Sequence, residues 1–542
     1  MHDMDITLGK IELPDGTDSV AELIRARGPA AAAAALNGEF AVVRHGDDGT
    51  LFAATDLFAT HSLCWQQQDG RVRFAARADA FGSRSLDPQA LFTYLYAHSI
   101  ASPHTVYRDV HRLPPGHYAW FDGRTLTVAP YWRAEFKTEP TTGFDQWRTR
   151  FRDALLGSVR DSLDGSPPAC FLSGGTDSST VAGHIKQVAG SVTTYSIGFD
   201  AQGYDEMEYA RIAARHFGAV HREYYVTPSD LVNGIADVAA SFDQPFGNSS
   251  AVPAYYCALR AREDGVTRLL AGDGGDELFG GNSRYATQRL YGAYGQVPRW
   301  MRAGVVEPLF GNALMARTPV LRKGASYLRD AKVPLPDRLE HYNLLLRLGL
   351  QHVLAPDFLA AIRPQAPMEQ RREVWRDCVA DAEIDRNLAF DWRYTLSESD
   401  LPKVVGATSL AGVDVGFPML DRRLLDIALQ LPPDYKLRGL KLRWFFKEAL
   451  RDFLPEAIIT KTKKGFGLPF GVWACRDAAL GRLAREAVES FATRGIVRQP
   501  FVRELFDQLL PAHPGYYGEM VWIQMMLEHW LRRHVPDYRF EG

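Results

Sequence analysis

Strand-like runs alternate with helix-length segments between residues 169 and 271, and this alternation restricts the fold more than any other feature. The runs "ACFLS", "VTTYSIGF", "HREYYVT" and "TRLLAG" each have the length of one strand, and the segments between them have helical spacing. Such alternation indicates a parallel sheet with right-handed crossovers. Ligands of these sheets bind beyond the carboxyl ends of the strands. The loops that follow the strands are therefore the first candidates for a site.

A β-rich unit precedes this sheet. Between residues 37 and 133, short β-branched or aromatic runs are separated by turn formers such as "GDDGT". The pattern breaks in "FKTEPTTGFDQ", which predicts a linker near residues 134–145. Because 542 residues exceed one ordinary core, we predict two domains, over residues 1–140 and 145–542. Beyond about residue 285 the second domain is predicted to be mostly helical.

The composition is that of a globular protein, with 46% hydrophobic and 23% charged residues. A net charge of −3 provides no overall attraction to nucleic acid or to anionic membranes. No apolar run is long enough to span a bilayer, and the first residues do not resemble a signal peptide. The five cysteines are scattered and form no CxxC pair, which is typical of a reducing compartment. We expect a cytoplasmic protein without nucleic-acid or membrane partners.

Two adjacent glycines follow the first strand in "FLSGGTDSST", residues 171–180. Bare glycines let main-chain N–H groups approach an anion, and the helix that starts at this point adds the positive end of its dipole. A helix N-cap after a tight turn would explain Asp177 and Ser178, but not two glycines preceded by a serine. The stretch therefore predicts a phosphate cradle. Its candidate residues are Leu172, Ser173, Gly174, Gly175, Asp177 and Ser178.

A second glycine-rich loop, "LLAGDGGDELFGG" at residues 269–281, again follows an apolar strand. It places Asp273, Asp276 and Glu277 among five glycines. Carboxylates beside a phosphate cradle repel the phosphates unless a divalent cation lies between them. With both loops at strand ends, Asp177 and Asp276 are predicted to share one Mg²⁺. A solvated acidic turn is the alternative interpretation of this loop.

A basic segment spans residues 436–471 and contains Lys461, Lys463 and Lys464 ahead of a Gly-Phe-Gly turn. Most lysines of this kind are solvated. A lysine held by a glycine-rich turn could instead neutralise the charge that builds up on a departing pyrophosphate.

Taken together and in this order, the motifs resemble the synthetase domain of class B asparagine synthetase and its relatives, a subset of the N-type ATP pyrophosphatases. The resemblance runs from "FLSGGTDSS" through "LAGDGGDELFGGNSRY" to "KTKKGFGLPFGVW" and covers about residues 145–490. It implies a parallel-sheet ATP-pyrophosphatase domain with a helical extension, and ATP and Mg²⁺ as cofactors. In that family ATP activates a carboxylate as its acyl adenylate, and an amine or ammonia then displaces AMP.

The resemblance also assigns roles to individual residues. Ile197 would lie beside the adenine, Asp273 near the incoming nucleophile, and Lys463 against the adenylation transition state, while Arg443 falls at another basic position. The implied catalytic residues are Asp273, Lys463 and Arg443. The implied ATP- and pyrophosphate-binding residues are Leu172, Ser173, Gly174, Gly175, Asp177, Ser178, Ile197 and Gly272. The implied metal ligands are Asp177 and Asp276.

Residues 36–80 resemble the later part of the family's glutaminase domain, an N-terminal-nucleophile fold. A glutaminase of this type needs a cysteine at position 2, where its own α-amine serves as the base. The sequence has His2 there, and its first cysteine is Cys64. The resemblance therefore predicts an α/β protein whose first domain is a degenerate glutaminase-like unit that does not hydrolyse glutamine.

A further departure lies in "PKVVGATSLAGVDVGFPMLD", residues 402–421. Family members usually have Asp-Arg where this chain has Val405 and Gly406, Glu where it has Asp414, and a second Arg where it has Gly416. Loss of two arginines removes forked donors suited to a small dicarboxylate. This predicts a larger and less charged carboxylate pocket, which argues against aspartate as the substrate.

The leading hypothesis is an AMP-forming carbon–nitrogen ligase that joins a small-molecule or peptide carboxylate to an amine, in natural-product or peptide macrolactam formation. Ammonia-dependent asparagine synthesis is the runner-up, and a non-catalytic scaffold that keeps the fold is an alternative of another class. The sequence leaves open which substrates are used and whether the bond forms within one molecule or between two. It also leaves open whether the protein forms a homodimer or associates with pathway proteins.

Overall fold

The computed structural model describes residues 5–302, 304, 327–462 and 467–541. The predicted fold class is confirmed, because an antiparallel β-rich domain precedes a parallel sheet that is covered by helices. Within the described residues, no helix is both long and apolar enough to cross a lipid bilayer.

The N-terminal domain contains a five-stranded antiparallel sheet and a three-stranded one, with strand orders β1-β2-β3-β7-β8 and β5-β4-β6. The predicted strands are present, but β1, β4 and β6 were not predicted. Gly9, with a φ of +70°, interrupts the apolar pattern of β1, and β6 has only two residues. The strands are β1 (Ile6–Glu12), β2 (Asn37–His45), β3 (Leu51–Thr55), β4 (Cys64–Gln68), β5 (Arg71–Ala75), β6 (His111–Arg112), β7 (His117–Phe121) and β8 (Leu126–Pro130).

The second domain is built on a parallel sheet with the order β11-β10-β9-β12-β13. Four of these strands match the predicted ones. The fifth, β13, pairs with β12 although it lies far along the chain, and three residues are too few to produce a recognisable pattern. The strands are β9 (Ala169–Phe171), β10 (Thr193–Phe199), β11 (Val220–Val226), β12 (Arg268–Leu270) and β13 (Asp414–Gly416), and β14 (Leu437–Arg438) pairs with β15 (Lys441–Leu442) in a separate hairpin.

Helices cover both domains, and those of the second domain pack around the parallel sheet. In the N-terminal domain the helices are Val20–Arg27, Pro29–Ala35 and Pro88–Ala97. Around the parallel sheet they are Phe144–Ser162, Thr176–Ala189, Met207–Phe217, Pro228–Ser241, Ala251–Glu263, Gly275–Phe279, Ser283–Gln296 and Arg299–Met301. The later ones are Leu344–Leu348, Leu350–Val353, Pro356–Ala360, Ala366–Asp377, Glu383–Asp391, Leu401–Ala411, Arg422–Gln430, Pro433–Lys436, Trp444–Ala449, Glu456–Thr460, Phe470–Arg476, Ala478–Ala492, Gln499–Glu504, Leu510–Ala512 and Pro514–His534.

A π-helical stretch, Trp392–Asp400, joins the helices Glu383–Asp391 and Leu401–Ala411 without a break. Long π-helical stretches are rare and occur frequently at functional sites. Its first residue, Trp392, donates its indole N–H to the Glu277 carbonyl at 2.9 Å and stacks on Phe136 with ring centroids 5.3 Å apart. The stretch is therefore anchored to the second glycine-rich loop at its start.

The two domains meet at a buried charge cluster on this π-helical stretch. Glu398 forms ion pairs with Arg112 of the N-terminal domain and with Arg393. It also accepts hydrogen bonds from the Ser102 amide at 3.1 Å and the Ser102 hydroxyl at 2.8 Å. Because Glu398 is only 4% exposed, its ion pairs and hydrogen bonds are needed to offset the free energy of removing its carboxylate from water.

The predicted linker packs on the second domain. The Phe136 amide donates to the Val379 carbonyl at 2.9 Å, and the Lys137 amide donates to the Leu429 carbonyl at 3.0 Å. A segment rich in polar residues is thus held by main-chain hydrogen bonds that the sequence does not reveal.

Candidate active site

The two glycine-rich loops and the basic segment line one cavity of about 1010 Å³ at the carboxyl ends of the parallel strands. We call it the nucleotide cavity. Among the described residues, it brings together ten of the sequence-predicted site residues. They are Leu172, Ser173, Gly175, Asp177, Ser178, Ile197, Gly272, Asp273, Asp276 and Arg443.

The first loop has the conformation that its glycines suggested. Gly174 has a φ of +66°, and a Cβ at this position would collide with the backbone of Ala210. Gly174 thus packs against the next helix, while its neighbours line the cavity. The helix Thr176–Ala189 begins after Gly175 without a side-chain cap, and the residues of its first turn line the cavity, where the positive end of the helix dipole favours an anion.

Glycines also allow the two loops to touch. A Cβ on Gly272 would lie 2.7 Å from the Ser178 nitrogen, and a Cβ on Gly275 would collide with the Asp177 carboxylate. Any larger residue at either position would push the loops apart. The pairing of the two loops into one site therefore depends on these glycines.

Arg443 lies between the two aspartates that were predicted to share a metal ion. Its Nη1 donates to Asp177 Oδ2 at 2.8 Å and to Asp276 Oδ1 at 2.7 Å, and the guanidinium is 3.9 Å from the ring centre of Phe446. Burial alone would lower the pKa of Arg443, but the two carboxylates outweigh it and raise the pKa above its ordinary value. Arg443 is therefore a fixed positive charge at this point.

The chemistry of this pair fits a nucleotide-bound Mg²⁺. Mg²⁺ in proteins is usually held by one or two carboxylates, with phosphate oxygens and water completing its shell. Asp177 and Asp276 supply two converging carboxylates, and within the described residues no cluster of three or more His, Cys, Asp or Glu side chains offers an alternative protein-only metal site.

A second charged group, which the sequence did not predict, lies beside the first. Lys403 donates to Asp400 at 3.0 Å and to Asp273 at 3.5 Å. Burial raises the pKa of Asp273, and Lys403 opposes that rise. Burial would lower the pKa of Lys403, but Asp400 and Asp273 together raise it. Asp400 and Lys403 are three residues apart in one helix, and only the fold places them against Asp273.

Three more lysines line the cavity, namely Lys441, Lys447 and Lys461. Lys447 lies one helical turn after Arg443, and burial followed by the Arg443 charge lowers its pKa. Lys461 donates to the Gly174 carbonyl at 3.2 Å and to Glu206 at 3.0 Å, which ties the basic segment to the first loop. The sequence could have indicated both Lys447 and Lys461 as site residues, because Lys447 lies four residues after Arg443 and Lys461 lies just before the glycine-rich turn. Lys463, the predicted catalytic lysine, lies outside the described residues.

The prediction of a larger and less charged carboxylate pocket stays a prediction, and the four substitutions on which it rests lie away from the nucleotide cavity. Val405 and Asp414 line a different cavity, Gly406 packs on Phe242, and Gly416 packs on Arg268. None of these four substituted positions lines the nucleotide cavity. The substitutions therefore say nothing about the size or charge of a carboxylate pocket in that cavity.

Comparison with known protein families agrees with this site. The profile of the asparagine synthase family matches residues 150–532, and that of a glutamine amidotransferase domain matches residues 14–132. The chain therefore belongs to the asparagine synthase family.

The relatives do not all have the same name. The chain is 24% identical to asparagine synthetase [glutamine-hydrolyzing] 1 of Bacillus subtilis over 523 residues, which cover 93% of this chain and 80% of the relative. It is 26% identical to a putative asparagine synthetase of Mycobacterium tuberculosis over 405 residues, or 72% of this chain and 59% of the relative. It is 22% identical to the amidase chry2 of Gibberella zeae over 481 residues, or 81% and 70% of the two chains.

Proposed function

We propose that this protein is an ATP-dependent amide synthetase that adenylates a substrate carboxylate and joins it to an amine without hydrolysing glutamine. The observation that carries the proposal is the convergence of both glycine-rich loops, Asp177, Asp276 and Arg443 on one cavity. Family membership supports ATP-dependent amidation at the level of the family.

The first step is the attack of a carboxylate oxygen on the α-phosphorus of ATP. The new oxygen–phosphorus bond forms as the bond to pyrophosphate breaks, and negative charge grows on the leaving group. The uncapped amides of the helix Thr176–Ala189 and the cations Arg443 and Lys447 are placed to stabilise that charge. A Mg²⁺ on Asp177 and Asp276 would neutralise phosphate oxygens when bound.

The second step is the attack of the amine on the acyl carbon, with AMP as the leaving group. The amine loses a proton as the amide bond forms, and an ionised carboxylate nearby can accept it. Asp273 faces the cavity, and its ion pair with Lys403 favours the ionised form. We assign Asp273 to this proton transfer and Lys403 to positioning it.

The state of Cys64 supports the proposed independence from glutamine. Cys64 is fully buried in β4, and burial raises the pKa of its thiol far above the range of a reactive nucleophile. One relative is named an amidase rather than an asparagine synthetase. Natural-product or peptide macrolactam formation is the use we propose for such chemistry.

Ammonia-dependent asparagine synthesis is the second candidate. It is favoured by the acidic residue at position 273 and by the names of the relatives from Bacillus and Mycobacterium. It requires the carboxylate to be the side chain of aspartate and the amine to be ammonia.

The deciding experiment is ATP–pyrophosphate exchange with the full chain against a panel of amino acids, small carboxylic acids and peptides, with product masses measured after amines are added. We expect exchange with at least one non-aspartate carboxylate and no product from glutamine as the amine donor. Rapid formation of asparagine from aspartate and ammonia would favour the second candidate. The absence of exchange across the panel would favour a non-catalytic scaffold.

Replacement of Lys403 by Met tests the proton acceptor. Because Lys403 opposes the rise of the Asp273 pKa caused by burial, its loss raises that pKa further, and Asp273 becomes protonated at a higher pH. We expect amide formation to fall by about 10²-fold, the contribution typical of general base catalysis. The acidic limb of the pH–rate profile should move to higher pH.

The control for this prediction is Lys403→Arg, which keeps the charge and should leave the acidic limb in place. Pyrophosphate exchange precedes amine attack, so it should fall less than amide formation in Lys403→Met. An unchanged acidic limb in Lys403→Met would show that Asp273 does not accept the proton.

A further inference from the structure

A second cavity, of about 730 Å³, lies between the N-terminal domain and the parallel sheet. We call it the interdomain cavity. Its walls come from β1 and β2, from the loop around His61, and from Arg268 and Asp414 at the amino ends of β12 and β13. The nucleotide cavity lies at the opposite, carboxyl ends of the parallel strands, so the two cavities are separate sites.

Arg268 is one of the cationic residues that line this cavity, with Lys10 and Arg422, and one of its N–H groups lacks an acceptor among the described residues. Its Nε atom is buried and has no hydrogen-bond partner among the described residues. The guanidinium fits because position 416 is glycine, since a Cβ there would lie 2.7 Å from Nη2. A buried guanidinium N–H without an acceptor costs free energy that a bound acceptor would recover.

Carboxylates face the same space. Glu39 accepts a hydrogen bond from the Phe417 amide at 2.8 Å, and burial raises its pKa to about 7. Glu39 lies within the electrostatic reach of Arg268, and Asp414 lies within that of His61, whose own pKa is lowered by burial. Yet Arg268 makes no ion pair within 4 Å with any described carboxylate. The cavity thus holds carboxyl groups and a guanidinium that influence one another electrostatically but form no direct ion pair among the described residues.

We propose that the interdomain cavity binds a small zwitterion, with its carboxylate on Arg268 and its ammonium group between Glu39 and Asp414. The guanidinium fork matches a carboxylate in geometry as well as in charge. Apolar side chains complete the walls and leave room for a side chain of the ligand, namely Leu36, Leu163, Val405 and Val413. An α-amino acid is the simplest molecule with these features.

The site is independent of the proposed synthetase activity, but it touches the same helix. In Leu401–Ala411, Lys403 and Val404 line the nucleotide cavity, while Val405 and Thr408 line the interdomain cavity. A zwitterion would therefore contact the same helix that positions Asp273, at residues next to those that line the nucleotide cavity.

Isothermal titration of the full chain tests the proposal, with the twenty proteinogenic amino acids as probes. For each amino acid that binds, the analogues that lack either the amine or the carboxylate are titrated as well. We expect at least one amino acid to bind, and both analogues to bind more weakly. Arg268→Met should raise the Kd by at least about tenfold, the loss expected for a charge-assisted pair. Arg160→Met, which replaces an exposed arginine outside the cavity, is the matched control.

Lys403→Met separates this site from the nucleotide cavity. Binding that survives Lys403→Met and is lost in Arg268→Met supports the proposal, whereas the reverse pattern places the ligand in the nucleotide cavity and overturns it. Absence of binding by every amino acid also overturns it. If circular dichroism shows that Arg268→Met does not fold, the same titrations are made with Glu39→Gln and Asp414→Asn. Unchanged binding by both of these variants refutes the site. These binding measurements do not depend on catalysis, so they remain valid even if the protein shows no ATP–pyrophosphate exchange.

Discussion

Replacement of Asp276 by Asn is expected to reduce ATP–pyrophosphate exchange by about 10²–10³-fold, the effect of losing several kcal/mol of charge stabilisation. Asn keeps the shape of the side chain but removes the charge that pairs with Arg443 and that would hold Mg²⁺. The same loss is expected for Asp177→Asn. Exchange rates measured over a range of Mg²⁺ concentrations check the prediction, because loss of a ligand shifts the Mg²⁺ dependence to higher concentration.

Asp237→Asn provides the matched control, since Asp237 is an exposed aspartate of the helix Pro228–Ser241 and lies outside the nucleotide cavity. Its exchange rate should equal that of the unmodified chain. Full activity of both Asp177→Asn and Asp276→Asn would remove the basis of the proposed function, because the proposed metal site rests on these two carboxylates.

Replacement of Glu398 by Ala is expected to lower the free energy of unfolding by about 3–5 kcal/mol, the range for removing one partner of a buried ion pair. The change leaves Arg112 and Arg393 buried against each other without their shared carboxylate, and Ser102 loses its acceptor. Chemical denaturation followed by two probes, one in each domain, measures the loss. Two probes are needed because a chain with two domains need not unfold in one step.

Glu489→Ala is the comparison for this prediction. Glu489 forms a pair with Arg485 at 3.5 Å on the surface, with its side chain 52% exposed, and its replacement should cost under about 1 kcal/mol. Equal losses from the two substitutions would mean that the buried cluster does not hold the domains together.

The features that could be predicted from the sequence are those encoded locally. The strands β9, β10, β11 and β12 have apolar patterns of the right length, and each glycine-rich loop directly follows its strand. Gly174, Gly272 and Gly275 mark close backbone approaches that glycine alone tolerates. Because parallel strands end at the same edge of a sheet, the meeting of the two loops followed from the strands alone.

The features that could not be predicted depend on contacts between distant parts of the chain. Lys403 reaches Asp273 across the fold, and nothing in the helix that contains Lys403 indicates its partner. The substituted positions 405, 406, 414 and 416 do not line the nucleotide cavity, because a motif shows which residues differ but not which cavity they line. The π-helical stretch Trp392–Asp400 also has no sequence signature in the 3.6-residue period.

That stretch bears on any shortened form of the protein. Glu398, which holds Arg112 and Ser102, lies only two residues before Asp400, which holds Lys403. A fragment that starts near residue 145 would lose Arg112 and Ser102, and the π-helical stretch beside Asp273 would lose these contacts. The N-terminal domain thus supports the π-helical stretch. A fragment without that domain should be less stable and less active than the full chain.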